Sequence, residues 1–539
     1  MEGPAGEKVP SDNQVKTFER TATGLVREIS AFRTLVLDLM FTSPVFMFVF
    51  AILGIGIFVG ADMVVSTLLA LLIGFTTAGM YALLSIAYPR SGGDYIFISR
   101  ILSPPLGFMV NFVFTIVNIS VIGTEAVWVS TMALGPMFSG LGAIMNSSSL
   151  ASYASVFSQP VYIFIIGAVV MLVFTSVMFF GTGPTFKIKS VLFFVAVFSV
   201  IVYIAAIGLT STSAMISNFN HLSSTSYQQY SGIVTSNGLP EKFEVVPTLF
   251  GTIYAVLALA GFTISSYTGG EISNPKRSQF VGMFGAPIIY ALLMMAVLAV
   301  SYSKFGYSFL TGISYAALTG NKLYTLPIPL PWMNFIAAYA LDSAPLMIVL
   351  TVGLLCTLFA YMLTAIFAST RSLFAWTFDG IFPMKLAKVN EKYHVPAYSL
   401  AVIILISLVF IYLTVYTSIS AFFTYVVLAS SFGLVVVAIS AIVFPFRKKD
   451  AFNSAPRPVS SKIGGVPVIS LIGVAGLITS LLVGYVAMLP AFIGVFTFEY
   501  VYFIIALFVI GIVIYFVSYG IRKRQGFPVD KLQKEIPPE

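Results

Sequence analysis

About twelve mainly apolar runs, each of roughly twenty residues or more, divide this chain. Each is long enough to cross the roughly 30 Å hydrocarbon core of a bilayer as a helix. They fall near 34–58, 63–87, 105–133, 160–180, 188–209, 246–268, 281–303, 344–376, 398–416, 420–445, 467–490 and 499–520. The run near 344–376 is long enough for its last turns to leave the membrane. Only 9% of the residues are charged and 58% are hydrophobic, whereas soluble domains carry roughly a quarter charged residues. Such a chain has too little polar surface to cover itself in water. The expected fold class is an all-α polytopic membrane protein with about 12 transmembrane helices.

The charges give an orientation. With the N-terminus inside, only Lys242, Lys304 and Lys322 of the 28 basic residues fall outside. This is a strong positive-inside bias, and it explains the net charge of +8 without nucleic acid as a partner. The expected location is the cell (plasma) membrane, multi-pass, with both termini cytoplasmic. Residues 1–33 read as a cytoplasmic tail and 522–539 as a second one. The single cysteine, Cys356, excludes an intramolecular disulfide and a cysteine-based metal cluster. His221 and His394 both fall in loops, so no metal site and no cofactor are expected. Two long outer loops, near 210–245 and 304–342, are rich in Ser, Tyr, Asn and Gly, and the loop near 134–159 is polar and poor in charge.

An interrupted helix survives in hydrocarbon only where it lines protein or a water-filled cavity. Transporters place such breaks at the substrate, where freed helix N-termini present amides to an anionic group. Span 1, LVLDLMFTSPVFMFVFAILGIGIF, has two candidate breaks. Pro44 lacks an N–H and disfavours helix at Ser43. Gly54-Ile55-Gly56 is the other, and it serves equally well as a helix-packing site. A proline kink is the bland reading of the first. In span 6, Ala260-Gly261-Phe262-Thr263 precedes a row of hydroxyl residues, and a helix-packing glycine is the bland reading there.

Three further segments carry a family resemblance. Tyr88–Arg100, YPRSGGDYIFISR, resembles a P-x-x-G-G-x-Y segment between spans 2 and 3. Glu271–Arg277, EISNPKR, resembles E-x-x-N-P-x-R after span 6. Ser369–Pro396, STRSLFAWTFDGIFPMKLAKVNEKYHVP, resembles R-x-x-x-A-x-x-x-D-G-x-x-P…N…P after span 8. In this order, they resemble amino acid permeases of the amino acid–polyamine–organocation (APC) superfamily. The resemblance covers roughly residues 30–450. It implies a five-plus-five inverted-repeat core (helices 1–10, residues 34–446) with discontinuous helices 1 and 6. Helices 11–12 and the basic loop before them, 447–521, are then peripheral. In the family, NPKR closes the cytoplasmic end of span 6, and the span 6 break lies about thirteen residues before the Asn-Pro, where Gly261 stands. The span 1 break falls on residues 41–46 rather than on Gly54. The substrate-binding residues implied are Phe41, Thr42, Ser43, Pro44, Ala260, Gly261, Phe262 and Thr263. The chain departs from the family's G-x-G in span 1, and Thr42-Ser43-Pro44 lacks one amide there.

Spans 3 and 8 complete the implied cavity. Glu125 is an intramembrane carboxyl in span 3, and such groups are costly. It can contact a cationic substrate, carry a proton or bond a neighbouring helix, and Asn118 lies two turns earlier on the same face. Ala365 and Thr364 fall where the family lines the site, with Thr364 a cation-ligand candidate. Asp38 is placed as a pairing residue near the inner mouth. Some family members carry a cation-mimicking lysine inside span 5. Here Lys187 and Lys189 are placed at the cytoplasmic entrance, so that mechanism is not expected. The coupling candidates are H+ through Glu125, Na+ through spans 1 and 8, or neither, as in an exchanger. The function expected is secondary active transport of an amino acid by alternating access, with an amine or polyamine carrier as the alternative. No Walker-A loop, nucleophile elbow, HExxH or intramembrane aspartate pair suggests an enzyme.

Overall fold

The computed structural model describes residues 25–419, 426–489 and 498–533. Most of the N-terminal tail, the start of the run near 420–445, the segment 490–497 and the last six residues lie outside the described part. Among the described residues, twelve helical segments are long and apolar enough to span a membrane. Span 1 (Ala31–Ile57) is the most enclosed, with 89% of its apolar window buried, whereas span 12 (Val501–Arg524) has 17% buried. The core is therefore organised around span 1, and span 12 lies at its edge. Span 1 packs on spans 5 (Thr182–Leu209), 7 (Pro275–Phe305) and 8 (Ala344–Phe378), and spans 8 and 5 pack on each other.

Local sequence sets the helix ends. Asp62 caps span 2 (Met63–Ala87) by accepting from the amides of Val64 and Val65 at 2.9 and 3.2 Å, which satisfies two orphan donors. Asn274 caps span 7 by accepting from Arg277 N at 3.2 Å, with Pro275 as the first helical residue. Proline suits that position because its missing N–H would have no helical partner there. NPKR thus opens span 7 rather than closing span 6, which corrects the sequence reading. Span 5 also begins earlier than its hydropathy suggests, at Thr182, because the polar stretch TGPTFKI is helical after the turn at Gly181 (φ 104°).

Span 3 is longer than expected. Its helix Pro104–Trp128 passes through a π-helical turn, Val129–Leu134, and continues as Gly135–Ile144. The polar segment after it holds another helix, Ser148–Val156. The two long loops are also helical in part, at Thr212–Leu222, Tyr227–Ser236, Tyr307–Leu318 and Met333–Ala340. Between spans 10 (Val427–Arg447) and 11 (Val468–Ala487), Lys462–Ile463 pairs antiparallel with Val466–Pro467.

The connections 2–3, 6–7 and 8–9 gather on one face with both described ends of the chain. Ile29 bridges Ile272, Ser91 bridges Thr268, and a side chain on Gly380 would meet Phe527.

Candidate functional site

Two helices are interrupted, and their interruptions meet. Span 1 stops at Phe41, passes through Ser43 in the left-handed region (φ 58°, ψ 76°), and resumes through a 3-10 turn at Pro44–Phe46 into Met47–Ile57. Left-handed backbone is uncommon outside glycine and costs of order 1 kcal/mol or more. The Thr42 hydroxyl bonds Leu39 O at 2.6 Å, while Ser43 Oγ is buried without a partner among the described residues. Gly54 and Gly56 lie within the continuous helix Met47–Ile57, so the break is at residues 42–46.

Span 6 is helical over Val245–Leu259 and then opens. Ala260 is extended, Gly261 has φ 96°, and Ile264–Tyr267 forms a 3-10 turn. A Cβ on Gly261 would collide with the Phe41 ring. The glycine thus serves two needs, a positive φ and close contact with span 1. The amides of Ser43 and Gly261 make no hydrogen bond among the described residues. Ala260 is exposed and Thr263 half-buried, and the Phe262 ring lies against Gly74 of span 2.

The Phe41 ring stacks on Tyr361 of span 8 at 4.5 Å with an interplanar angle of 13°. Glu125 of span 3 is the acidic neighbour of Tyr361. Glu125 Oε2 and Asn118 Nδ2 are both buried without a partner among the described residues. Phe46 and Trp128 add an edge-on aromatic contact at 5.1 Å. Phe41, Gly261, Tyr361 and Glu125 therefore form a connected set contributed by spans 1, 6, 8 and 3. Tyr361 and Trp128 were not singled out from sequence, because an aromatic residue in a membrane helix more often packs than binds. Ala365 is fully buried in span 8.

A second polar set lies beside the first. Asp38 accepts hydrogen bonds from Ser265 N and Ser265 Oγ, both at 2.8 Å. It thus ties the first half of span 1 to the unwound part of span 6. Lys189 is its cationic neighbour. Contrary to the sequence reading, Lys189 is not at the entrance. It is 1% exposed inside span 5, and its ammonium donates to Thr364 Oγ1 at 2.6 Å. Thr364 in turn bonds Ala360 O at 2.7 Å. The available signal was phase. Lys189 shares a helical stripe with Thr185, Phe186, Leu192, Phe193 and Ala196, all buried, whereas Lys187 is off that stripe and exposed.

The three sequence motifs interlock on the face that carries the chain ends. Arg371 donates to Glu271 through Nε at 2.8 Å and a second nitrogen at 2.9 Å, and both side chains are 1% exposed. Arg100 pairs with Asp379 at 2.5 and 2.8 Å, and Tyr95 donates to the same carboxylate at 2.8 Å. Gly92 N bonds Tyr267 O at 3.1 Å. Asn111 donates to Asp94 at 2.6 Å, and burial pushes the Asp94 carboxyl up to about 6 against that bond. Two-pronged Arg–carboxylate pairs are geometrically specific. Removing one partner leaves a buried uncompensated charge. This layer ties the connections 2–3 and 6–7 to the end of span 8.

The amino acid permease family model matches residues 42–526, from the span 1 break to beyond span 12. That is most of the chain, and it takes in both interruptions and all three interlocking motifs; the chain belongs to the amino acid permease family of the APC superfamily.

Proposed function

We propose that this protein is a secondary active transporter that moves an amino acid across the cell membrane by alternating access, within a five-plus-five inverted-repeat core. The observation that carries the reading is the meeting of two interrupted helices at Phe41 and Gly261. The free amides of Ser43 and Gly261 suit a substrate carboxylate, because unpaired N–H groups beside a helix end favour negative charge. The Glu125 carboxyl suits the ammonium, and the Phe41–Tyr361 stack supplies an apolar wall for the side chain. Proline at position 44 removes one amide, so the Ser43 hydroxyl, itself unpartnered, is assigned to the carboxylate as well. The motif layer is assigned as the inner gate, supported by its buried ion pairs, and its face as cytoplasmic by the positive-inside pattern.

The Lys189 contact replaces Na+ coupling at Thr364 with H+ coupling in this proposal. Its ammonium takes the place of a bound cation between spans 1, 5 and 8, held by Thr364 and attracted by Asp38. Loss of its proton would remove the attraction to Asp38, weaken the bond to Thr364 and loosen span 1 from span 8. An amine or polyamine carrier is the second reading, favoured by the unpartnered Glu125 carboxyl.

Counterflow in proteoliposomes decides between them. Vesicles are preloaded with amino acids or, separately, with polyamines, and exchange of labelled compound is followed. Exchange restricted to compounds that bear a carboxylate supports the amino acid reading. Exchange restricted to amines moves recognition to Glu125. Absence of both, with folded protein in the vesicles, removes the substrate class.

A further inference from the structure

A cavity of about 430 Å³ lies where the ends of spans 3, 10 and 12 meet the returning C-terminal segment. Pro104, the first residue of span 3, and Arg447, the last of span 10, line it with Lys448, and Phe516 and Tyr519 contribute from the last turns of span 12. It therefore sits where hydrocarbon gives way to headgroups. Phe516 is 54% exposed and supplies an apolar wall open to lipid. Arg447 and Lys448 are exposed at the mouth and have no side-chain partner among the described residues.

The back of the cavity is built rather than incidental. The chain turns after span 12 into the short helix Val529–Leu532, whose Val529 and Leu532 are buried. Gln533 follows, 3% exposed, with its amide oxygen accepting from Tyr515 at 2.7 Å. Its amide nitrogen is buried without a partner among the described residues, an arrangement that is costly unless something accepts from it. One carboxylate, Asp530, also lines the cavity, but it is held by Tyr519 at 2.9 Å and by Lys523 at 3.7 Å. Arg100 forms part of the wall with its charge matched by Asp379. The charge left at the mouth is positive.

We infer that this cavity binds the headgroup of an anionic phospholipid. The phosphate lies between Arg447 and Lys448 and accepts from Gln533, and an acyl chain runs along Phe516. Basic clusters at a cytoplasmic membrane boundary attract acidic lipids. Because Arg100 stands between the cavity and Asp379, a bound lipid would brace the inner gate from behind. The inference does not depend on the identity of the transported substrate.

The test uses the full-length protein in mild detergent and reads lipid retention by native mass spectrometry. Phosphatidylglycerol, phosphatidylcholine and inorganic phosphate are supplied separately. Wild type is expected to retain phosphatidylglycerol over phosphatidylcholine. Arg447→Gln/Lys448→Gln is expected to lower that retention roughly twentyfold, at several-fold per basic side chain. Lys385→Gln/Lys388→Gln, with the same charge loss elsewhere on the face, is expected to leave it unchanged. Gln533→Leu keeps the charge and is expected to weaken retention several-fold; it also serves if the double variant fails to fold. Equal retention in the pocket variants and wild type would overturn the inference. So would phosphate binding without lipid preference, or lipid uptake only after residues 534–539 are removed.

Discussion

The ammonium of Lys189 lies 2.6 Å from the hydroxyl of Thr364, joining spans 5 and 8 beside the break in span 1. If this contact couples transport to protons, Lys189→Met should abolish the response of uptake to an imposed pH gradient. Gradient-driven accumulation is expected to fall about tenfold or more, as for a lost charge-assisted hydrogen bond. Uptake into proteoliposomes with and without the gradient measures it. A variant that still responds to the gradient would return Lys189 to a structural role.

Gly261→Leu should eliminate substrate binding while leaving the protein inserted. The new side chain meets the Phe41 ring and must adopt φ 96°, a strain of roughly 1–2 kcal/mol beyond the clash. Thermal-shift stabilisation by substrate is the readout. Full stabilisation in this variant would remove span 6 from the site.

Glu125→Gln preserves shape and removes a group that can gain or lose a proton. The expected result is an altered pH profile of uptake or a changed preference between zwitterionic and cationic substrates. An unchanged profile and preference would leave Glu125 as a helix-packing residue.

The Glu271–Arg371 pair is buried on both sides. Arg371→Met alone should cost roughly 3–5 kcal/mol, because Glu271 is left buried and uncompensated. The double variant Glu271→Gln/Arg371→Met should recover much of that loss. Unfolding of detergent-solubilised protein compares them. Additive losses would argue against direct coupling.

Asp94 gives a pH term of definite sign. Its carboxyl is raised by burial from 3.8 to about 6, with Tyr81, Tyr267 and Asn111 facing it. A raised folded-state value means the stabilising contribution is full below about pH 4 and is lost as pH rises through about 6. The span is about 3 kcal/mol. Asp94→Asn should remove this component from a series of melts between those pH values. An identical pH slope in the variant would show that another group is responsible.

The parts of the site visible in sequence were those carried by local chemistry. Pro44 after Thr42-Ser43 marks a candidate break through backbone rules that need no neighbour, whereas Gly261, thirteen residues before Asn274, was placed by the family resemblance. The motif charges Arg100, Glu271, Arg371 and Asp379 were visible as residues, but their pairing joins positions 100 or more apart and is set by packing. Lys189 was misplaced because hydropathy ends a span at its first charge. The helix continues back to Thr182, and Thr185 and Phe186, on the same stripe as Lys189, are buried against protein. Tyr361 became informative only when its stack on Phe41 was seen.

The π turn Val129–Leu134 carries a consequence for numbering along span 3. An α-helix advances about 100° per residue, and a π turn absorbs the equivalent of one inserted residue. The stripe that presents Asn118 and Glu125 therefore does not continue in phase into Gly135–Ile144, where Gly140 instead meets Met347 and Tyr339. Excising one residue from the turn would re-index the far end by about a quarter of a revolution and aim a different set of side chains at span 8. The bulge is thus a frame shift written into geometry: it lets one helix keep two incompatible registers, one that presents Asn118 and Glu125 and one that packs Gly140 on Met347.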